Sequence, residues 1–169
     1  MMGKAVGLST KWQVVIFMIE GKANHAGLSI PSYGLADLSL RGARVVPWDA
    51  PSLPKGERLS FDIVVRAPHA ALDYLNRPGV LTEAIIMQEK KQKGWHLTPD
   101  APDFVRTLRS RRSHDPDDMN CIEWIVHALE VGGANIPNDV LTPTDLLQWC
   151  EAHCARSERA PFDSPAARA

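Results

Sequence analysis

The sequence predicts an α+β domain, in which a small antiparallel sheet from the first half of the chain is packed against helices from the second. Three observations predict it. Up to about residue 66 the apolar residues come in short, β-branched-rich runs parted by Gly, Pro and Asn turns. Beyond that point they recur at helical spacing. The chain of 169 residues, 44% hydrophobic and 23% charged, has the size and composition of one ordinary globular core with little left for a second.

Residues 12–18 form the first β-branched run, and a second strand over 24–30 follows a Gly21-Lys22 turn. Pro31-Ser32-Tyr33-Gly34 reads as a turn, after which strands over 35–40 and 43–48 flank Arg41-Gly42. Residues 49–57 hold two prolines and a glycine and read as a loop, and 59–66 alternates as a half-buried strand does. Pro68 opens a helix through Leu75. Residues 80–91 have helical spacing, although Ile85-Ile86-Met87 reads equally as strand. A helix over 100–112 takes Asp100 as its cap and Pro102 in its first turn. The clearest helix covers 119–131: Ile122, Ile125, Val126 and Leu129 share a face, and Gly132-Gly133 ends it. Thr142-Pro143-Thr144-Asp145 starts the last helix, which runs to about His153. From Ala155 the composition turns to Arg, Ser, Pro and Ala. The expected organisation is a single domain over 1–154 and a disordered tail over 155–169.

A formal net charge of -1 gives no basic bias, so nucleic acid is not an expected partner. Arg106, Arg109, Arg111 and Arg112, ahead of Asp115, Asp117 and Asp118, read as a solvated helix end, with an anionic-substrate site as the alternative. The N-terminus lacks a signal-peptide pattern, and the apolar run over 14–19 is too short to span a bilayer. Three cysteines, two of them four apart, do not form a disulfide framework. The expected setting is the cytoplasm, where a thiol stays free to react.

Chemistry is sought among the polar residues. Cys121 stands at the start of the clearest helix, where unpaired N–H groups and the helix dipole favour a thiolate. The acidic residues just upstream oppose this if they face the sulfur, and a small buried core cysteine is the plainer reading of the position alone. His25 lies on the second strand beside the small residues Ala26 and Gly27, which leave room for something to approach. Asp37, twelve positions on, can reach back across a hairpin to orient the imidazole. A thiol, a base and an orienting group are the minimal set for acyl transfer. Cys150, His153 and Cys154 lack the further ligands a zinc site takes, so no metal and no cofactor is expected.

The order of His25-Ala26-Gly27-Leu28-Ser29-Ile30, Leu35-Ala36-Asp37, Arg41-Gly42-Ala43-Arg44-Val45-Val46-Pro47 and Asn120-Cys121-Ile122-Glu123-Trp124-Ile125-Val126-His127 resembles the circularly permuted papain-like enzymes. These are the YiiX-like and lecithin retinol acyltransferase-like branches of the NlpC-type superfamily. The resemblance covers roughly residues 12 to 150, with Gly132 to Pro137 and Leu141 to Leu146 resembling the segment after the YiiX-like helix. It implies a permuted papain-like fold with Cys121 as nucleophile, His25 as base and Asp37 as third residue, with Asn120 and Asn24 beside the oxyanion. The chain has Asn120 where many YiiX-like members carry an aromatic residue, and Asp37 where Glu or His is frequent. Residues 75–118 match no part of the family pattern.

The expected function is a cysteine hydrolase or acyltransferase working on an amide, ester or thioester through an acyl-enzyme on Cys121. Its partner would be a small-molecule, acyl or peptide substrate. The alternative is a non-catalytic module of the same fold that binds a ligand or partner. Hydrolysis and acyl transfer are not distinguished by the sequence.

Overall fold

The computed structural model describes residues 11–39, 42–76, 110–115 and 119–157. Five strands come first: β1 (Gln13–Ile19), β2 (Lys22–Ile30), β3 (Gly34–Ser39), β4 (Gly42–Val46) and β5 (Arg58–Asp62). They form one antiparallel sheet in the order β4-β3-β2-β1-β5. Three helices follow among the described residues, α1 (Pro68–Leu75), α2 (Cys121–Val131) and α3 (Pro143–His153). No described helix is long and apolar enough to cross a membrane.

Glu20 and Gly21, both at positive φ, make the tight turn from β1 to β2, as a hairpin with right-handed strand twist requires. Gly34 has φ +130, and a Cβ there would stand 2.3 Å from the Val46 carbonyl oxygen, so only glycine fits at the start of β3. β5 ends at Asp62 rather than at residue 66. Past it the chain leaves the sheet, because Arg66 and Ala67 donate their N–H groups to the Gly132 carbonyl at the end of α2.

Alternation along the strands builds two unequal layers. Val14, Ile16, Ala26, Leu28, Ala36 and Leu38 turn toward the helices and share the main core with Ile122, Ile125, Leu129 and Leu146. Val15, Phe17 and Leu35 turn the other way and are covered by Ala50 and Leu53 of the loop that the prolines predict and by Trp48, which was expected in the fourth strand but lies beyond β4. α2 is buried at every residue from Cys121 to Leu129, as befits a helix packed against β2 and β3 on one side and α1 on the other.

Three expectations need amendment. The helix expected over 80–91 lies outside the described residues, as does most of the one over 100–112; residues 110–112 are described and are not helical. Arg112 is not a solvated helix end: its guanidinium is fully buried and held by Glu130, the Ile136 carbonyl and Asn138 Oδ1. Nη2 carries all three bonds, while Nε and Nη1 are buried with no hydrogen-bond partner among the described residues. Arg111 is exposed, while Arg106 and Arg109 lie outside the described residues. The described chain also continues past 154 in contact with the sheet. Asp62 N–H donates to the Ala155 carbonyl and Ser157 N–H to the Ser60 carbonyl, so 155–157 lie along the outer edge of β5. Exposed strand edges gain by such cover. The remainder of the expected tail lies outside the described residues.

Candidate active site

The β1–β2 register runs regularly from Gln13–Ser29 to Phe17–His25 and then jumps to Met18–Ala23. Asn24 is the extra residue, so a β-bulge immediately precedes His25. Asn24 itself is half-buried. Ala23 and Ala26 both belong to the helix-side core, which leaves His25 on the Phe17 side of the sheet. The two rings meet there, with centroids 5.6 Å apart.

Asp37 stands on β3, on the same side as Leu35, and its carboxylate is completely buried. Its Oδ2 lies 2.8 Å from His25 Nε2. Arg44, the cross-strand partner of Asp37 on β4, donates from Nε to Oδ1 at 2.7 Å and from Nη2 to Oδ2 at 3.2 Å. Burial pushes the Asp37 carboxyl up, but the hydrogen bonds from His25 and Arg44, with their charges, outweigh it and hold the carboxyl below its ordinary range. The pair also raises the Arg44 pKa, chiefly through the bond to Asp37. A carboxylate so held fixes the ring plane and tautomer of the imidazole, the role an orienting residue plays beside a base.

Cys121 is the first residue of α2 and is buried. The helix start is strongly built. Asn120 caps it: Oδ1 accepts from Glu123 N–H at 2.8 Å, while Glu123 Oε1 accepts from Asn120 N–H at 3.0 Å. This reciprocal pair satisfies two N–H groups of the first turn. Glu123 Oε2 also takes the Ser113 N–H. The C-terminus of α2 is tied by Gly132 to the chain just beyond β5, near the sheet end where β1 starts and β2 finishes. Cys121 itself belongs to the helix-side core.

The structure thus joins His25 and Asp37 directly on the Phe17 side of the sheet, and places Cys121 in the helix-side core. Asn120, expected beside an oxyanion, has its side chain engaged in the cap, with Nδ2 donating to the Leu141 carbonyl at 2.8 Å. The room expected over Gly27 is occupied: a Cβ there would come within 3.0 Å of the Ala36 carbonyl and 3.1 Å of Leu35 Cγ. The neighbouring strand, not an incoming ligand, uses that space. Two contributors had gone unassigned, Arg44 and Glu123. The Asn120-x-x-Glu123 spacing is a capping-box pattern, and Asp37 and Arg44 are symmetric about the β3–β4 turn.

No protein-family model, curated protein or solved structure matches the chain.

The other candidates do different work. His127 is 2.8 Å from the Ser113 carbonyl through Nε2 and stacks with Tyr74, on the α1 side of α2. His153 is stacked on Trp149. Cys150 is buried, and a side-chain hydrogen bond with Cys154, together with that burial, pushes its thiol up. Among the described residues no group of three or more His, Cys, Asp or Glu side chains is placed to hold a metal ion.

Proposed function

We propose that the protein is a thiol hydrolase or acyltransferase of the permuted papain-like kind, with Cys121 as nucleophile, His25 as base and Asp37 as orienting residue. The observation that carries the reading is the buried His25–Asp37 pair on adjacent strands, with the carboxylate at Nε2. With that nitrogen committed to Asp37, exchange of a proton with a thiol falls to Nδ1. The reading requires the Cys121 sulfur to meet Nδ1 at the end of the sheet where β2 begins.

On this reading His25 takes the Cys121 proton and the thiolate attacks the carbonyl of an ester, thioester or amide. The leaving group departs with the proton returned by the imidazolium, and the acyl group stays on sulfur. Water or an amine, deprotonated by His25, then attacks the thioester and frees the enzyme. The first N–H groups of α2 are the donors suited to the developing oxyanion; one such donor is typically worth about 3 kcal/mol.

The test is the pH profile of iodoacetamide alkylation at Cys121, followed by intact-mass spectrometry, beside turnover of a panel of activated esters, thioesters and dipeptides. A thiolate formed well below the ordinary thiol value of about 8.5 is expected, together with an acyl adduct that Cys121→Ala abolishes. His25→Ala should return the profile toward the ordinary value. A Cys121 that alkylates like a free thiol, with turnover unchanged in Cys121→Ala, overturns the proposal and leaves a binding module.

A further inference from the structure

We propose that Arg44 is a positioning residue of this site: its planar guanidinium clamps the Asp37 carboxylate and turns Oδ2 onto His25 Nε2. The inference rests on the thiol reading above and adds to it a fourth residue.

The geometry is that of a fork. Nε and Nη2 address both carboxylate oxygens, and such paired bonds fix the carboxylate plane, which a single bond leaves free to rotate. Arg44 is itself braced, because Nη1 donates to Ser52 Oγ at 2.9 Å and Nη2 reaches the Ser52 carbonyl at 3.5 Å. The loop that covers the Phe17 side of the sheet thereby braces Arg44, which in turn clamps the orienting Asp37. Asp37 is the more deeply buried partner, fully enclosed against 24% exposure for the Arg44 side chain. Water cannot do for that carboxylate what Arg44 does.

The charge matters as much as the shape. A buried carboxylate facing only a histidine can share one proton with it, and the two groups then titrate as a unit. Arginine keeps its charge throughout the accessible pH range. Beside it, Asp37 stays an ionised acceptor and the proton stays on the imidazole side of the pair. The same positive charge opposes proton uptake by the His25–Asp37 unit, so its removal raises the midpoint of that uptake. Arg58 lies over the Phe17 ring, 5.0 Å from its centroid, and Asp49 acts on it electrostatically; both are retained in every variant below.

The experiment follows the His25 ring protons by NMR through a pH titration of the full chain, in parallel with the Cys121 alkylation profile. Arg44→Gln should move the His25 midpoint to higher pH and move the alkylation profile with it. Arg44→Lys, which keeps the charge but not the fork, should restore the midpoint while alkylation stays slower than wild type. Ser52→Ala, which removes one brace, serves if Arg44→Gln does not fold, and should slow alkylation less than Arg44→Lys does. Unchanged midpoints and profiles in both Arg44→Gln and Ser52→Ala would make Arg44 a plain hairpin brace and overturn the inference. Failure of the thiol reading looks different: the wild-type Cys121 profile is then that of an ordinary thiol, whatever the His25 midpoint does.

Discussion

Asp37 and Glu123 are both fully buried carboxylates, yet they are held in opposite ways. Asp37 is met by side chains that carry or can carry charge, His25 and Arg44. Glu123 takes backbone N–H groups, from Asn120 and Ser113. The first arrangement orients an imidazole and responds to the charges around it. The second locks a helix start and ties the segment before it to that helix. Burial of a charge therefore does not mark a functional residue by itself; the chemistry of its partners separates the two uses.

The sharpest way to break this comparison is at the helix. Glu123→Ala leaves two backbone N–H groups without their acceptor in a buried place, and the expected cost is about 3 kcal/mol. Urea unfolding should show it as a lower midpoint with little change in slope. Glu123→Gln retains one good acceptor and should lose about half as much. If both variants unfold like wild type, Glu123 is not the lock that its bonds describe.

At the other carboxylate the expected stability loss is smaller, about 2 kcal/mol for Asp37→Asn, because Arg44 can turn partly to water. Its pH behaviour is the more telling measurement. The folded Asp37 carboxyl lies below its ordinary value, so its contribution is complete above the unfolded-state pKa and is lost as pH falls through the folded value. Wild type should lose stability across that acid range, and Asp37→Asn should lose less. Parallel curves for the two proteins would mean that the His25–Asp37–Arg44 cluster adds nothing to folding.

How far the sequence revealed these sites follows from the same contrast. Strand and helix positions were legible because periodicity is local: β1, α2 and α3 lie within a residue or two of their expected bounds. The approach of Asp37 to His25 was legible because a hairpin puts the two residues on adjacent strands, close enough for their side chains to meet. Arg44 was within reach by the same logic, since the β3–β4 register pairs it with Asp37. The fate of Arg112 was not. Its partners Glu130, Ile136 and Asn138 stand far along the chain, and a run of arginines looks the same whether solvated or enclosed. The occupied space over Gly27 was hidden for a related reason: small residues announce a close approach without naming what approaches.

The smallest expected effect lies on the α1 side of α2 and separates folding from chemistry. Burial lowers the His127 pKa below its ordinary value; the bond to the Ser113 carbonyl and Glu130 oppose this, and His114 and Arg112 add to it. The unfolded chain therefore takes up a proton at this residue before the folded one does. Stability from this source is complete above about pH 6.5 and declines as pH falls toward the folded value. His127→Gln keeps a donor for the Ser113 carbonyl but cannot titrate. It should flatten the fall in stability as pH drops below about 6.5 while leaving the Cys121 alkylation profile where it was. A variant that keeps the wild-type slope would place that proton elsewhere. One that shifts the alkylation profile would instead couple the two sides of α2, and the contrast between the structural and the chemical carboxylate would no longer divide the molecule cleanly.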